Sequence, residues 1–181
     1  MTLPDLLQHA GMLNSTGNAP AALALLEQAL PEYPHDAELL AALGVLSDAV
    51  GSPVNALRYL RQALVSEPND LHILTNIAYI TGRENPDEGV LVYKDLLQHH
   101  PQDLPALANL GALLLELDRA EEARLVLEQG MAIDPQVPVL RYNLGRAHSL
   151  LGNQGIARSH YEEAARLAPD WELPREALAQ G

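Results

Sequence analysis

The stretch Leu104 to Pro135, LPALANLGALLLELDRAEEARLVLEQGMAIDP, carries a spacing of small and large residues that returns along nearly the whole chain. Prolines closing an apolar segment stand at Pro34, Pro68, Pro101, Pro135 and Pro169, in steps of 34, 33, 34 and 34 residues. A fixed period of this size marks a stack of like units, each of which buries its apolar face only against its neighbours.

Placing each closing proline at position thirty-two sets five copies in register. Position eight then holds Ala10, Gly44, Ala78, Gly111 and Gly145, with the third copy read from Leu71, and position twenty holds Ala22, Ala56, Gly89, Ala123 and Ala157. Small residues at both places let two helix axes approach to about 8–10 Å. Position twenty-four is large, in Leu26, Leu60, Tyr93, Leu127 and Tyr161. Position twenty-seven is small again in Ala29, Ala63, Gly130 and Ala164, with Leu96 as the exception.

These residues resemble the tetratricopeptide repeat, whose pattern places a large residue, Leu, Gly and Tyr on a first helix and Ala, an aromatic, Ala and Pro on a second. His9, Arg141, and the Ser47, Thr81 and His148 that stand at the usual Tyr position depart from it. The resemblance implies an all-α fold: a right-handed superhelical solenoid of five helix-turn-helix repeats plus a C-terminal capping helix, in a single domain over residues 1–181. The repeats fall at about 3–36, 37–70, 71–103, 104–137 and 138–171, and the capping helix at about 173–180.

Proline placement supports the helical reading. Pro4, Pro20, Pro53, Pro86, Pro105, Pro138 and Pro174 fall where helices start, a position at which the missing N–H has no intrahelical partner to lose. The spacing predicts paired helices over about Pro4 to Thr16 and Ala19 to Leu30, Ala37 to Val50 and Pro53 to Ser66, Leu104 to Leu117 and Arg119 to Ile133, and Val137 to Leu151 and Asn153 to Ala168. The third copy is one residue short, and the loss is assigned to its turn, so its first helix is expected to stop at Gly82. Asp118 stands where other copies carry Gly17, Gly51 and Gly152. The final helix is expected to set Leu173, Ala177 and Leu178 on one face and to cover the fifth copy, while no equivalent helix precedes the first.

Composition narrows the function. The formal net charge of -13, with a single lysine at Lys94, argues against nucleic acid, which needs clustered cations to displace phosphate counterions. With no cysteine there are no disulfides and no thiolate chemistry. The N-terminal residues lack the basic start of a signal peptide, and no apolar run approaches the ~20 residues that span a bilayer, so a cytoplasmic protein without membrane insertion is expected. His99 and His100 lack the spacing of a zinc site, and no phosphate-cradling or nucleophile-elbow string occurs. No catalytic residue, metal or cofactor is therefore assigned, and the protein is read as not an enzyme. Glu162 is expected to support Arg166 four residues on.

In the family the first helix of each pair lines the concave side, with position six pointing into it, and here that position carries Gln8, Ala42, Asn76, Asn109 and Asn143. The resemblance implies a ladder of Asn76, Asn109 and Asn143 similar to the one that grips a partner's backbone in a glycosyltransferase of the family. An amide both donates and accepts, so it suits any peptide unit. Tyr79, Arg83, Tyr142 and Arg146 complete the expected peptide-binding groove, with side chains of the kind enriched at binding hot spots. The expected function is a protein-protein interaction scaffold, or adaptor, that binds an extended protein or peptide segment in that groove. Three other readings stand beside it: the substrate-recruiting region of a larger enzyme such as a glycosyltransferase, a homo-oligomeric scaffold self-associating through the uncapped first copy, and a secretion chaperone. The lysine-rich clamp that captures chaperone tails is disfavoured, because Lys94 lies on a second helix.

Overall fold

Eleven α-helices and no strand make up the described residues, 1–180, of the computed structural model. They fall into two compact units, Met1–Glu84 and Asn85–Gly181. The first holds α1 (Leu3–Ser15), α2 (Ala19–Glu27), α3 (Ala37–Ala49), α4 (Pro53–Ser66) and α5 (Leu71–Glu84). The second holds α6 (Pro86–His99), α7 (Leu104–Glu116), α8 (Ala120–Ile133), α9 (Pro138–Leu150), α10 (Gln154–Leu167) and α11 (Leu173–Gln180).

The repeat writes its own start signals. Asp36, Asp70 and Asp103 each precede a first helix, and their carboxylates accept from the backbone N–H three residues on at 2.8, 3.0 and 3.2 Å, satisfying donors that have no intrahelical partner. In the first copy Thr2 and Asp5 form a reciprocal capping box. The turns between paired helices need a left-handed residue, and Gly17, Gly51 and Gly152 supply it at φ of 81, 79 and 79°. Asp118 takes the same role at φ 56°, the conformation that Asp tolerates better than most non-glycine residues.

In the first unit the α3/α4 hairpin closes through the expected notch. A Cβ added to Gly44 would sit 2.6 Å from Leu60 Cγ, and both residues are buried. Around this notch Leu26, Leu39, Leu43, Ala56 and Ala63 are fully enclosed, each leucine contributing about 1.5–3 kcal/mol of apolar burial. The second unit repeats the device twice, Gly111 of α7 against Leu127 of α8 and Gly145 of α9 against Tyr161 of α10. Gly130 receives Leu140 from the next first helix, with a would-be Cβ 2.9 Å from its methyl carbons, so position twenty-seven joins consecutive hairpins. Leu96, which breaks the small-residue rule there, is still buried.

Three local expectations are corrected. Helix α2 stops at Glu27 rather than Leu30, and Gln28 to Leu30 continue as single turns, because Pro31 has no N–H to donate to the Glu27 carbonyl four residues back and its ring crowds that carbonyl. Helix α5 runs through Gly82 to Glu84. The residue missing from the third copy is lost from the left-handed linker, and Asn85 directly caps α6 through its bond from the Glu88 N–H. On α11, Leu173 is exposed and Pro174 is the buried residue, while Ala177 and Leu178 are half-buried as they pack towards α10.

Candidate functional site

The first helices of neighbouring copies adjoin within each unit, α3 beside α5 in the first and α7 beside α9 in the second. Between α3 and α5 lies an open cleft of about 450 Å³. Ala41, Ala42, Val45 and Ile73 line it with apolar surface, because position six of copy two carries only a methyl group where copies three to five carry asparagine and copy one carries Gln8. Glu38, Glu67 and Asp70 give its margin an acidic character, and Asn76 stands at its edge.

Each sequence-predicted residue of the first unit has a different standing. The Asn76 amide nitrogen donates 2.8 Å to the His72 carbonyl on its own helix, which leaves the side-chain oxygen as an acceptor without a donor among the described residues. Tyr79 is exposed, and the Arg83 guanidinium lies 5.8 Å from its ring centroid. Arg83 itself is committed. It clasps the Asp48 carboxylate of α3 with two N–H groups, one at 3.0 Å, and hydrogen bonding to Asp48 raises its already high pKa. Arg83 therefore ties α5 to α3. Asp48 is a residue that sequence reasoning missed, although opposite charges 35 positions apart in a 34-residue period are a usable signal for neighbouring first helices.

In the second unit Asn109 is half-buried on α7, and no protein group among the described residues bonds its amide. Asn143 is different. It is only 3 % exposed, and its side-chain oxygen accepts from Arg146 at 3.4 Å. Tyr142 packs edge-on against Trp171 with ring centroids 4.9 Å apart and tilts over Tyr161 at 5.7 Å. The segment leading into α11 thus occupies the aromatic chemistry of copy five, through a tryptophan the sequence reading passed over. Burial raises the Tyr161 hydroxyl pKa, consistent with this enclosed setting.

Further ion pairs lie on the second helices α6, α8 and α10 and at the start of α8. Glu122 takes both Arg119 and Lys94, and Arg124 bridges Glu121 and Glu128. Arg166 bonds Glu163, not the expected Glu162, which pairs with Arg158. His148 and His160 stack with centroids 5.5 Å apart, and both Nδ1 atoms are enclosed without a partner. Among the described residues no three His, Asp or Glu side chains converge in a metal-holding arrangement, and no helix is long and apolar enough to cross a membrane.

Comparison with known proteins follows the same lines. Two tetratricopeptide repeat family models match the chain, at residues 81–141 and 139–170. Protein FlbA of Caulobacter vibrioides is 34% identical over 71 residues, 39% of this chain and 12% of that protein, so the chain spans a small part of the length of that relative. A thermophilic repeat protein of Thermus thermophilus superposes with a TM-score of 0.78 at 24% identity, covering 98% of this chain and 97% of that one. A MamA fragment from Desulfovibrio magneticus gives 0.68 at 26% identity over 80% and 82% of the two chains. YrrB, described as having an unusual peptide-binding site, gives 0.66 at 19% identity over 95% and 89%.

Proposed function

This chain belongs to the tetratricopeptide repeat family, whose fold serves as a scaffold for protein-protein interaction, and on that premise we propose that it is a non-catalytic adaptor that holds an extended segment of a partner protein against its first helices. The observation that carries the reading is the methyl-floored cleft between α3 and α5. An extended chain advances about 3.3 Å per residue and turns alternate side chains to one face, so one apolar side chain can enter over Ala42 and Val45 while its backbone N–H reaches the free oxygen of Asn76. Glu38 and Glu67 at the margin favour a partner with lysine or arginine beside that side chain.

The three asparagines then divide the work unequally. Asn109, with donor and acceptor both open, is suited to a whole peptide unit, and Asn76 to an N–H alone. Asn143 orients Arg146, leaving that guanidinium to meet a carboxylate. Tyr79 offers exposed aromatic area, whereas Arg83 and Tyr142 hold the scaffold together. YrrB, a protein of the same fold, is described as having a peptide-binding site, which supports peptide binding as a use of this fold.

The test is affinity capture from the source cell, followed by calorimetry with the partner retained. Ala42→Arg, which fills the cleft, and the pair Asn76→Ala with Asn109→Ala should each weaken that partner at least about tenfold, the equivalent of about 1.4 kcal/mol, with helical content unchanged. Full affinity in both variants would refute the reading.

A further inference from the structure

We propose that the outer face of α4 is a second docking strip, one that takes an acidic amphipathic helix of a protein partner. It lies on a second helix and does not depend on the first-helix cleft.

The argument begins with which cations lack a partner. The chain has eleven lysines and arginines against twenty-four carboxylate side chains, so acidic partners are in surplus. Nine of the eleven donate to a carboxylate, an amide or a backbone carbonyl. Arg58 and Arg61 have no such acceptor among the described residues, and both are exposed on α4, a helix without a single Asp or Glu. Two like charges three residues apart on a helix repel, and no carboxylate among the described residues pairs with either of them.

The second observation is apolar. Val54 and Val65 are 80 % and 83 % exposed, more than any other large apolar side chain of the chain except the terminal Met1. At about 100° per residue, positions 54, 58, 61 and 65 fall within an arc of about 60°, and they span about 16 Å along the axis. The face therefore reads valine, arginine, arginine, valine over three turns. The Arg58 guanidinium is held 4.0 Å from the Tyr59 ring centroid, and stacking of this kind leaves its N–H edge outward and planar for a bidentate carboxylate.

Charge complementarity chooses the occupant. Nucleic acid and anionic membranes are recognised by many clustered cations, and two arginines on a chain of net charge -13 do not supply them. A helix that repeats the same spacing with opposite charge, apolar at its first and twelfth places and acidic at its fifth and eighth, meets each of the four side chains once.

The probe is a synthetic helical peptide with Leu, Glu, Glu and Leu at those places, titrated into the full chain and followed by NMR and calorimetry. The expected result is saturable binding with amide shifts centred on α4, at least tenfold weaker when both Glu are replaced by Gln. Arg58→Glu with Arg61→Glu should abolish binding of the Glu peptide and create binding of the matching Lys peptide, while Val54→Ser with Val65→Ser weakens the wild-type complex several-fold. Arg58→Gln with Arg61→Gln, melting as wild type, separates lost docking from lost folding. Equal affinity for the Gln peptide, shifts centred on the first helices, or tighter binding to duplex DNA or phosphatidylserine vesicles than to the peptide would overturn the proposal.

Discussion

Gly145→Ala is the sharpest test of the notch between paired helices. The added Cβ would lie 2.5 Å from Cε1 of Tyr161, where unstrained carbons rest about 3.5–4.0 Å apart. The ring has little room to retreat, since it is 8 % exposed and Tyr142 packs against it. Overpacking of this kind costs about 1–3 kcal/mol, against about 1 kcal/mol gained from the better helix propensity of alanine. The net expectation is a loss of up to about 2 kcal/mol, or up to roughly 8 °C of melting temperature for a chain of this length. Gly11→Ala is the control. It is also helical, nothing lies within 4 Å of its would-be Cβ, and it should stabilise by about 0.5–1 kcal/mol. Urea and thermal melts of the two variants read the sign directly, and a Tyr161→Ala background should turn Gly145→Ala from destabilising to neutral or better. If Gly145→Ala melts at or above wild type, or if removing the ring does not rescue it, the notch is not what sets the approach of α9 and α10.

Two further outcomes follow from local conformation and protonation. Asp118→Gly should stabilise the second unit by about 1 kcal/mol, because glycine adopts the left-handed region without the steric cost borne by a Cβ; a urea midpoint that does not rise contradicts this. Burial, then the charges of His148 and Arg141, hold the His160 imidazole below its ordinary value of 6.5, with Glu128 pulling the other way. The unfolded chain then binds more protons in mild acid, so this contribution is whole above about 6.5 and is lost as pH falls through that value towards the lower folded one. Glu121, Glu122 and Glu163, held low by their arginines, act only below their ordinary 4.5. Urea midpoints between pH 7.5 and 5.5 should therefore fall in wild type and stay flatter in His160→Leu; equal slopes refute the assignment.

The five-fold register was legible because it rests on volume. Glycine or alanine at position eight is followed by leucine or tyrosine sixteen residues later, or fifteen in the shortened third copy, and Gly44 with Leu60, Gly111 with Leu127 and Gly145 with Tyr161 meet as their hairpins close. Boundaries were legible where a cap or a left-handed turn residue marks them, and illegible at α2 and α5. There a single proline and a single deletion act on the backbone, and the apolar spacing that shows the third copy to be one residue short does not say where its first helix ends. The site was less legible for a different reason. Position six tells which helix face an asparagine occupies, but not whether its hydrogen bonds are already spent. Asn76, Asn109 and Asn143 look alike in the sequence and differ in the fold, because His72, Arg146 and the degree of enclosure differ around them.

That difference follows from how a repeat divides its duties. Residues that hold one copy to the next must recur, since every junction has the same geometry, whereas residues that meet a partner have no reason to. Asp48 with Arg83 and Tyr142 with Trp171 occur once each and lie where the pattern would put ligand-binding groups, yet each holds the scaffold. The methyl groups of Ala41 and Ala42 at the cleft and the cations Arg58 and Arg61, which bond no carboxylate among the described residues, also occur once, with Ala41 and Ala42 packed on the core and Arg58 over Tyr59. Function on such a scaffold is therefore to be sought where the copies differ, and these places, with the unbonded amide of Asn109 among the three position-six asparagines, are where they do.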